Sequence, residues 1–168
     1  QVQFLTEQLH GFYADMHSWF RTELGVKCPL VATNWKTADD RLLGALDKYA
    51  GESCEVFDVH AYFTQKHEGP AAGYSVRAGQ TYSDGSVLRQ PTRAPFTAVQ
   101  YEGHPQILSE YNYTMPNRFR ADSVPLSAAY ASLQGIDGVF HFATGSASWD
   151  QMHPKFSIHT PVTMGQFP

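Results

Sequence analysis

Four short apolar runs alternate along the chain with segments of helical period, and this alternation most constrains the fold. Strands that are apolar on both faces are typical of parallel sheets covered by helices. We therefore predict an α/β fold with four parallel strands at Leu30–Thr33, Val56–Ala61, Gln106–Ser109 and Val139–Phe142.

Three helices are predicted around these strands. The first has apolar residues three or four apart and ends at Gly25; they are Leu5, Leu9, Phe12, Met16, Phe20 and Leu24. The second begins at a capping Thr37 and ends at Gly51. The third ends at Gly135, and its residues Leu126, Ala129, Tyr130 and Leu133 lie on one face.

The spacing of two cysteines predicts the strand register. Cys28 lies six residues before Asn34, and Cys54 lies six residues before His60, so adjacent parallel strands would set Asn34 beside His60. The stretch 64–105 has no helical period, and "YSDGSV" within it suggests a small hairpin. We expect this stretch to lie over the carboxyl ends of the strands.

Composition excludes several classes of partner. The 168 residues carry a net charge of -4 with scattered basic residues, which gives no footprint for nucleic acid. No apolar run approaches the roughly 18 residues of a membrane span. Cys28 and Cys54 fit neither a zinc site nor a disulfide framework. We predict no metal and no cofactor.

Ligands of parallel sheets bind beyond the carboxyl ends of the strands. Here those ends carry polar and aromatic residues, with one more aromatic in the loop after the last strand; they are Asn34, Trp35, His60, Tyr62, Glu110, Asn112, Tyr113, His141, Phe142 and Trp149. His60 and Tyr62 are two residues apart and therefore share a face, from which a Tyr hydroxyl can orient a carboxylate.

Four of these residues also have a plain structural interpretation. Glu110 can be a solvated strand end, His60 a partly buried core residue, Trp35 a core filler, and Trp149 an ordinary loop residue. Asp58 is expected either to point away from the neighbours of His60 or to enter a structural salt bridge, and it is left out of the site.

The motifs "PLVATNW", "DVHAYF", "ILSEYN" and "GVFHFA" together resemble strands five to eight of the (β/α)8 barrel of clan A retaining glycoside hydrolases. The resemblance implies that Glu110 is the nucleophile of a double displacement and that His60 and Tyr62 contact it or the sugar. It also implies a carbohydrate substrate stacked on Trp35, Tyr62, Tyr113 and Trp149. For such an enzyme we expect a secreted or periplasmic location, although no signal peptide is visible.

The sequence departs from this clan in two ways. The clan carries its acid/base as an Asn-Glu pair ending the fourth strand, and no Asn-Glu dipeptide occurs here. The eighth-strand aromatic is usually Trp, whereas this strand offers Phe140 and Phe142, so Trp149 can substitute. We therefore expect residues 1–168 to be one partial catalytic domain, truncated at both ends and inactive without the N-terminal half of the same barrel.

Two rival functions stay open. In a metal-dependent hydrolase, Glu110 would bind a metal together with His60, His104 and His141. In a non-catalytic carbohydrate-binding or degenerate barrel protein, the same aromatics would bind sugar and Glu110 would only accept hydrogen bonds.

Overall fold

The computed structural model describes residues 1–35, 39–72, 76–96 and 100–143. The helices and strands in these ranges are, in chain order, α1 (Val2–Thr22), α2 (Asp40–Ala50), β1 (Phe57–Phe63), β2 (His67–Glu68), β3 (Thr81–Tyr82), β4 (Gln106–Tyr113), α3 (Ser123–Gln134) and β5 (Gly138–His141). Short 3-10 turns lie at Val87–Arg89, Pro91–Arg93 and Arg120–Asp122.

The main sheet is parallel and has the order β1-β4-β5, which confirms the predicted α/β class. The predicted first strand, Leu30–Thr33, does not form a full strand. It runs beside β1 with a single parallel bridge between Val31 and Val56. Its register differs by one residue from the predicted one, because the bridge between Val31 and Val56, continued along both strands, sets Trp35 rather than Asn34 opposite His60. The backbone N–H of His60 donates to the carbonyl of Asn34 at 3.0 Å.

At both ends of this first segment, a backbone N–H group donates to a side chain. The N–H of Leu30 donates to the Glu55 carboxylate at 2.8 Å. The N–H of Trp35 donates to the hydroxyl of Thr33 at 3.1 Å. Among the described residues, no other strand pairs with the far edge of this segment.

The ends of the first two helices follow local chemistry. Gly25, just beyond α1, has a φ of +64°, a conformation that glycine adopts without steric cost. The N-cap of α2 is Asp39 rather than the predicted Thr37, which lies outside the described residues. The Asp39 carboxylate accepts two backbone N–H groups of the first turn. Gly51 ends α2 as predicted.

Helix α1 is poorly covered. None of its residues is fully buried, and Leu5 and Phe12 of the predicted apolar stripe are 63% and 56% exposed. Part of the stripe faces α2 across an open apolar groove lined by Val2, Leu5, Leu9, Leu43, Leu46 and Ala50. None of the helices described here combines the length and apolar character needed to cross a membrane.

Helix α3 packs on the sheet through small residues rather than through its predicted apolar face. Ser123, Ser127 and Ala131 are buried, whereas Leu133 is 79% exposed. Of the predicted face, Leu126 packs against the core and Tyr130 stacks on the buried Phe96. The physical reason is close approach, because the hydroxyl of the buried Tyr111 reaches the carbonyl of Ser123 at 3.1 Å. Gly135 ends the helix at a φ of +69°, as predicted.

The segment between β1 and β4 contributes to the core. Its antiparallel pair joins β2 to β3, so "YSDGSV" is not the hairpin turn; it continues instead into the 3-10 turn at Val87–Arg89. Val87, Ala94 and Phe96 are buried in one cluster with Tyr111 and Tyr113. The segment therefore covers a face of the sheet and does not simply lie over the strand ends.

Candidate functional site

The carboxyl ends of β1 and β4 bring a carboxylate together with two polar side chains. Glu110 is the Cα partner of His60 in the parallel ladder. The hydroxyl of Tyr62 donates to Glu110 Oε2, and His60 Nδ1 lies 3.3 Å from the same oxygen. The Glu110 side chain is 29% exposed, so it is open to a ligand on one side.

A bulge in β4 aims Glu110 at this face. Asp58 of β1 pairs with Ile107, but His60, two residues later, pairs with Glu110, three residues later. The ladder to β5 slips at the same place, between Leu108 and Tyr111 of β4. A regular ladder would set Ser109 opposite His60 and turn Glu110 to the other face, because side chains alternate along a strand.

Burial and the carboxylate together keep Tyr62 protonated. Its pKa is raised above the ordinary tyrosine value, first because the phenol is partly buried and then because it donates to, and lies beside, the charged Glu110. Tyr62 is therefore a hydrogen-bond donor across the neutral range. A donor on a carboxylate holds its orientation without neutralising it, which suits a nucleophile.

An exposed aromatic ring extends the site beyond Glu110. The Trp35 indole is 68% exposed and meets the His60 ring edge to face, with 6.2 Å between ring centroids. Asn34, next to it, is exposed and is bound to His60 through its backbone carbonyl. His60 therefore lies between an exposed apolar ring, that of Trp35, and the Glu110 carboxylate.

Comparisons with protein-family models, with curated proteins and with solved structures find no match. What this site can do follows from its own geometry.

Two predicted substrate-binding residues are buried and do not reach the open face. Tyr113 is completely buried, with its ring 4.8 Å from that of Phe63, because the bulge turns it into the core. Asn112 is also completely buried, and its amide donates to the Phe142 carbonyl at 3.0 Å, which ties β4 to the end of β5. Phe142 is 41% exposed. Trp149 lies outside the described residues.

The four residues of the rival metal site do not converge. His104 packs against Phe57 at the amino end of β1, and His141 meets the buried Tyr111 on the face opposite Glu110. Burial lowers the pKa of His141, which favours its neutral form. Within the described ranges, no group of three or more His, Cys, Asp or Glu residues is placed to hold a metal ion.

The sequence interpretation missed the role of Asp58. This residue is only 8% exposed, and its Oδ1 accepts the backbone N–H of Ser109 at 2.8 Å. Ser109 lies in the bulge, directly before Glu110. The available signal was a carboxylate in the middle of the apolar run "VFDV", since a buried charge needs a specific partner.

Proposed function

We propose that this chain carries the nucleophile of a retaining glycoside hydrolase and that Glu110 is that nucleophile. The observation that supports the proposal most is the set of contacts at Glu110 Oε2, a donated hydrogen bond from Tyr62 and the His60 ring nitrogen. Among the described residues, no protein group donates to Oε1, so this oxygen is open to an incoming carbon. The exposed Trp35, which packs against His60, supplies a surface on which a sugar ring can stack.

The proposed reaction is a double displacement. Glu110 Oε1 attacks the anomeric carbon and forms a glycosyl ester, while the bond from that carbon to the leaving oxygen breaks and a second carboxylic acid gives its proton to that oxygen. Water, deprotonated by the same second carboxylate, then attacks the anomeric carbon and releases Glu110. In retaining enzymes the two carboxyl groups lie roughly 5 to 5.5 Å apart.

We further propose that the second carboxyl group belongs to additional strands of the same (β/α)8 barrel. The main sheet and the segment at 30–34 follow one another in chain order, as the strands of such a barrel do. The far edge of that segment and the apolar side chains of α1 are the surfaces that further strands and helices would cover. Exposed examples on this side are Leu5, Phe12 and Val31.

A second candidate is a sugar-binding protein without catalysis. The exposed Trp35 favours it, because an aromatic platform binds sugar whether or not a nucleophile stands beside it. In that case Glu110 would only accept hydrogen bonds from ligand hydroxyls. The two candidates differ in one respect, which is whether a covalent bond forms at Glu110.

Covalent labelling tests this difference. The complete enzyme is incubated with a panel of 2-deoxy-2-fluoroglycosyl fluorides, whose leaving group needs no protonation, so that only the nucleophile is tested. We expect mass spectrometry to find the sugar on the peptide that contains Glu110. Glu55 and Asp58 are internal controls that stay unlabelled. A label on another carboxylate, or sugar binding without any label, would contradict the assignment.

A further inference from the structure

Glu110 reaches its site only because β4 is irregular at the residue before it. Beyond the bulge, Tyr111 and Tyr113 pair with Ala61 and Phe63, and both tyrosines are buried in the core cluster. Glu110 and its neighbours would exchange faces if the ladder were regular, since a slip of one residue moves every later side chain to the opposite face. Whatever holds the bulge therefore determines where the carboxylate points.

Asp58 is the described side chain that binds the bulge directly. Asp58 is almost completely buried, and its carboxylate accepts a hydrogen bond from the N–H of Ser109. This bond lies at the point where the register of the strand shifts. A hydrogen bond to a charged acceptor contributes more than one between neutral groups, and removal of the acceptor leaves the partly buried N–H of Ser109 without this partner.

We propose that Asp58 is a positioning residue, which fixes the bulge of β4 through Ser109 and so aims Glu110 at Tyr62 and His60. Asp58 does not touch substrate; it acts through the backbone of β4. The acceptor oxygen is the feature that matters, so an asparagine at the same position preserves the function. The consequence for turnover rests on the proposed function, whereas the geometric consequence does not.

The geometric consequence, which is whether Tyr62 still contacts Glu110, is measured on this chain by NMR with tyrosine labelled at Cζ. The Tyr62 signal is assigned by its loss in Tyr62→Phe, and its position without a carboxylate partner is calibrated with Glu110→Ala. In folded Asp58→Ala we expect the Tyr62 signal to move to the Glu110→Ala position. In Asp58→Asn we expect it to remain at the wild-type position.

The catalytic consequence is measured separately on the complete enzyme. Displacement of a reacting group by about 1 Å can cost on the order of 100-fold in rate, so we expect Asp58→Ala to lower kcat by about 10-fold to 100-fold. We expect KM to change much less, and Asp58→Asn to recover most of the lost kcat. If Glu110 is not a nucleophile, this result fails while the NMR result stands, so the two proposals fail separately.

Two outcomes would overturn the positioning role. One is a Tyr62 signal at the wild-type position in folded Asp58→Ala, and the other is a signal that moves as far in Asp58→Asn as in Asp58→Ala. If Asp58→Ala does not fold, Asp58→Glu replaces it, because the longer side chain must displace the bulge or lose its bond to Ser109. A Tyr62 signal that is unmoved in Asp58→Glu then overturns the proposal.

Discussion

Two partly buried glutamates, Glu55 and Glu110, differ in how their oxygens are used. Glu55 Oε1 accepts from His17 at 2.8 Å and from Arg21 at 2.6 Å, and its Oε2 accepts from the N–H of Leu30. Both contacts of Glu110 fall on Oε2, from a neutral phenol and an imidazole. Glu55 joins α1 to the first segment of the sheet, whereas Oε1 of Glu110 has no hydrogen-bond donor among the described residues.

Under the proposed function, the difference shows how surroundings separate a structural carboxylate, Glu55, from the proposed nucleophile, Glu110. Burial alone would raise the pKa of Glu55, but the hydrogen bonds from His17, Arg21 and the Leu30 N–H outweigh it and lower the pKa to about 2. A carboxylate whose lone pairs are all engaged is a poor nucleophile. Tyr62 orients Glu110 without an Arg or Lys partner in the described chain, and so leaves its charge available.

The largest expected effect is that of Glu110→Gln compared with Glu55→Gln. Each change replaces a carboxylate by an amide of the same shape. In the complete enzyme we expect Glu110→Gln to lower kcat by on the order of 10³-fold to 10⁶-fold, because the attacking charge is lost. Sugar affinity, measured by calorimetry, should persist. An equal loss of kcat in Glu55→Gln would contradict the distinction between the two glutamates.

Tyr62→Phe is expected to have the next largest effect. It removes the donor to Glu110 Oε2 and should lower kcat by roughly 10-fold to 100-fold, which is at or below the lower end of the roughly 100-fold to 1000-fold cost of losing one oxyanion-hole donor. Tyr101→Phe is the matched control, because Tyr101 donates to Glu52 at 2.5 Å near the amino end of β1. The kcat of both variants is measured by reducing-sugar release. Equal losses of kcat would show that Tyr62 has no specific role.

Glu55→Gln should affect stability instead. The change weakens the bonds to Arg21 and His17, and we expect a loss of about 1 to 2 kcal/mol, reduced from the buried case because the Glu55 side chain is 42% exposed. For a chain of this size that corresponds to a drop in Tm of roughly 2 to 8 °C. Glu110→Gln should leave Tm nearly unchanged. Thermal unfolding followed by circular dichroism checks both, and a larger drop for Glu110→Gln would contradict the contrast.

The pH dependence of the free energy of unfolding tests whether Glu55 stabilises the fold through its charge. The folded-state pKa of Glu55 is lowered from 4.5 to about 2, so its stabilising contribution is complete above pH 4.5 and is lost as the pH falls toward 2. Urea unfolding of the wild type and Glu55→Gln should therefore differ at pH 6 and converge near pH 2. A difference that is constant across this range would show that the charge of Glu55 is not its cause.

The sequence predicts the elements and the pairing of His60, Tyr62 and Glu110 well. It predicts less well which side chains of β4 are buried after the bulge. The i, i+2 spacing places His60 and Tyr62 on one face, and both contact Glu110. Strict alternation in β4 fails, because one extra residue between Leu108 and Tyr111 buries Tyr113, which we expected at the cleft. A slip of this kind depends on a distant partner, Asp58, and local periodicity cannot reveal it.

The faces of the helices were hard to predict for a related reason. Periodicity identifies an apolar stripe, but what covers it depends on neighbouring elements. In α3 the sheet lies so close that Ser127 and Ala131 face it, while Leu133 is exposed. The caps depend on local chemistry and were predicted more closely, as Gly51 and Gly135 show.

The smallest expected effect is that of Trp35→Ala, which probes the apolar side of the Glu110 site. Trp35 is 68% exposed and touches His60 only edge to face, so its removal should leave Tm unchanged. A stacked sugar would lose about 0.5 to 1.5 kcal/mol of binding, which is roughly a 2-fold to 13-fold rise in Kd. Trp19→Ala is the matched control, because Trp19 is 45% exposed on α1. Calorimetric titration with oligosaccharides should separate the two variants, and equal Kd values for both would remove Trp35 from the site while leaving the assignment of Glu110 to its own tests.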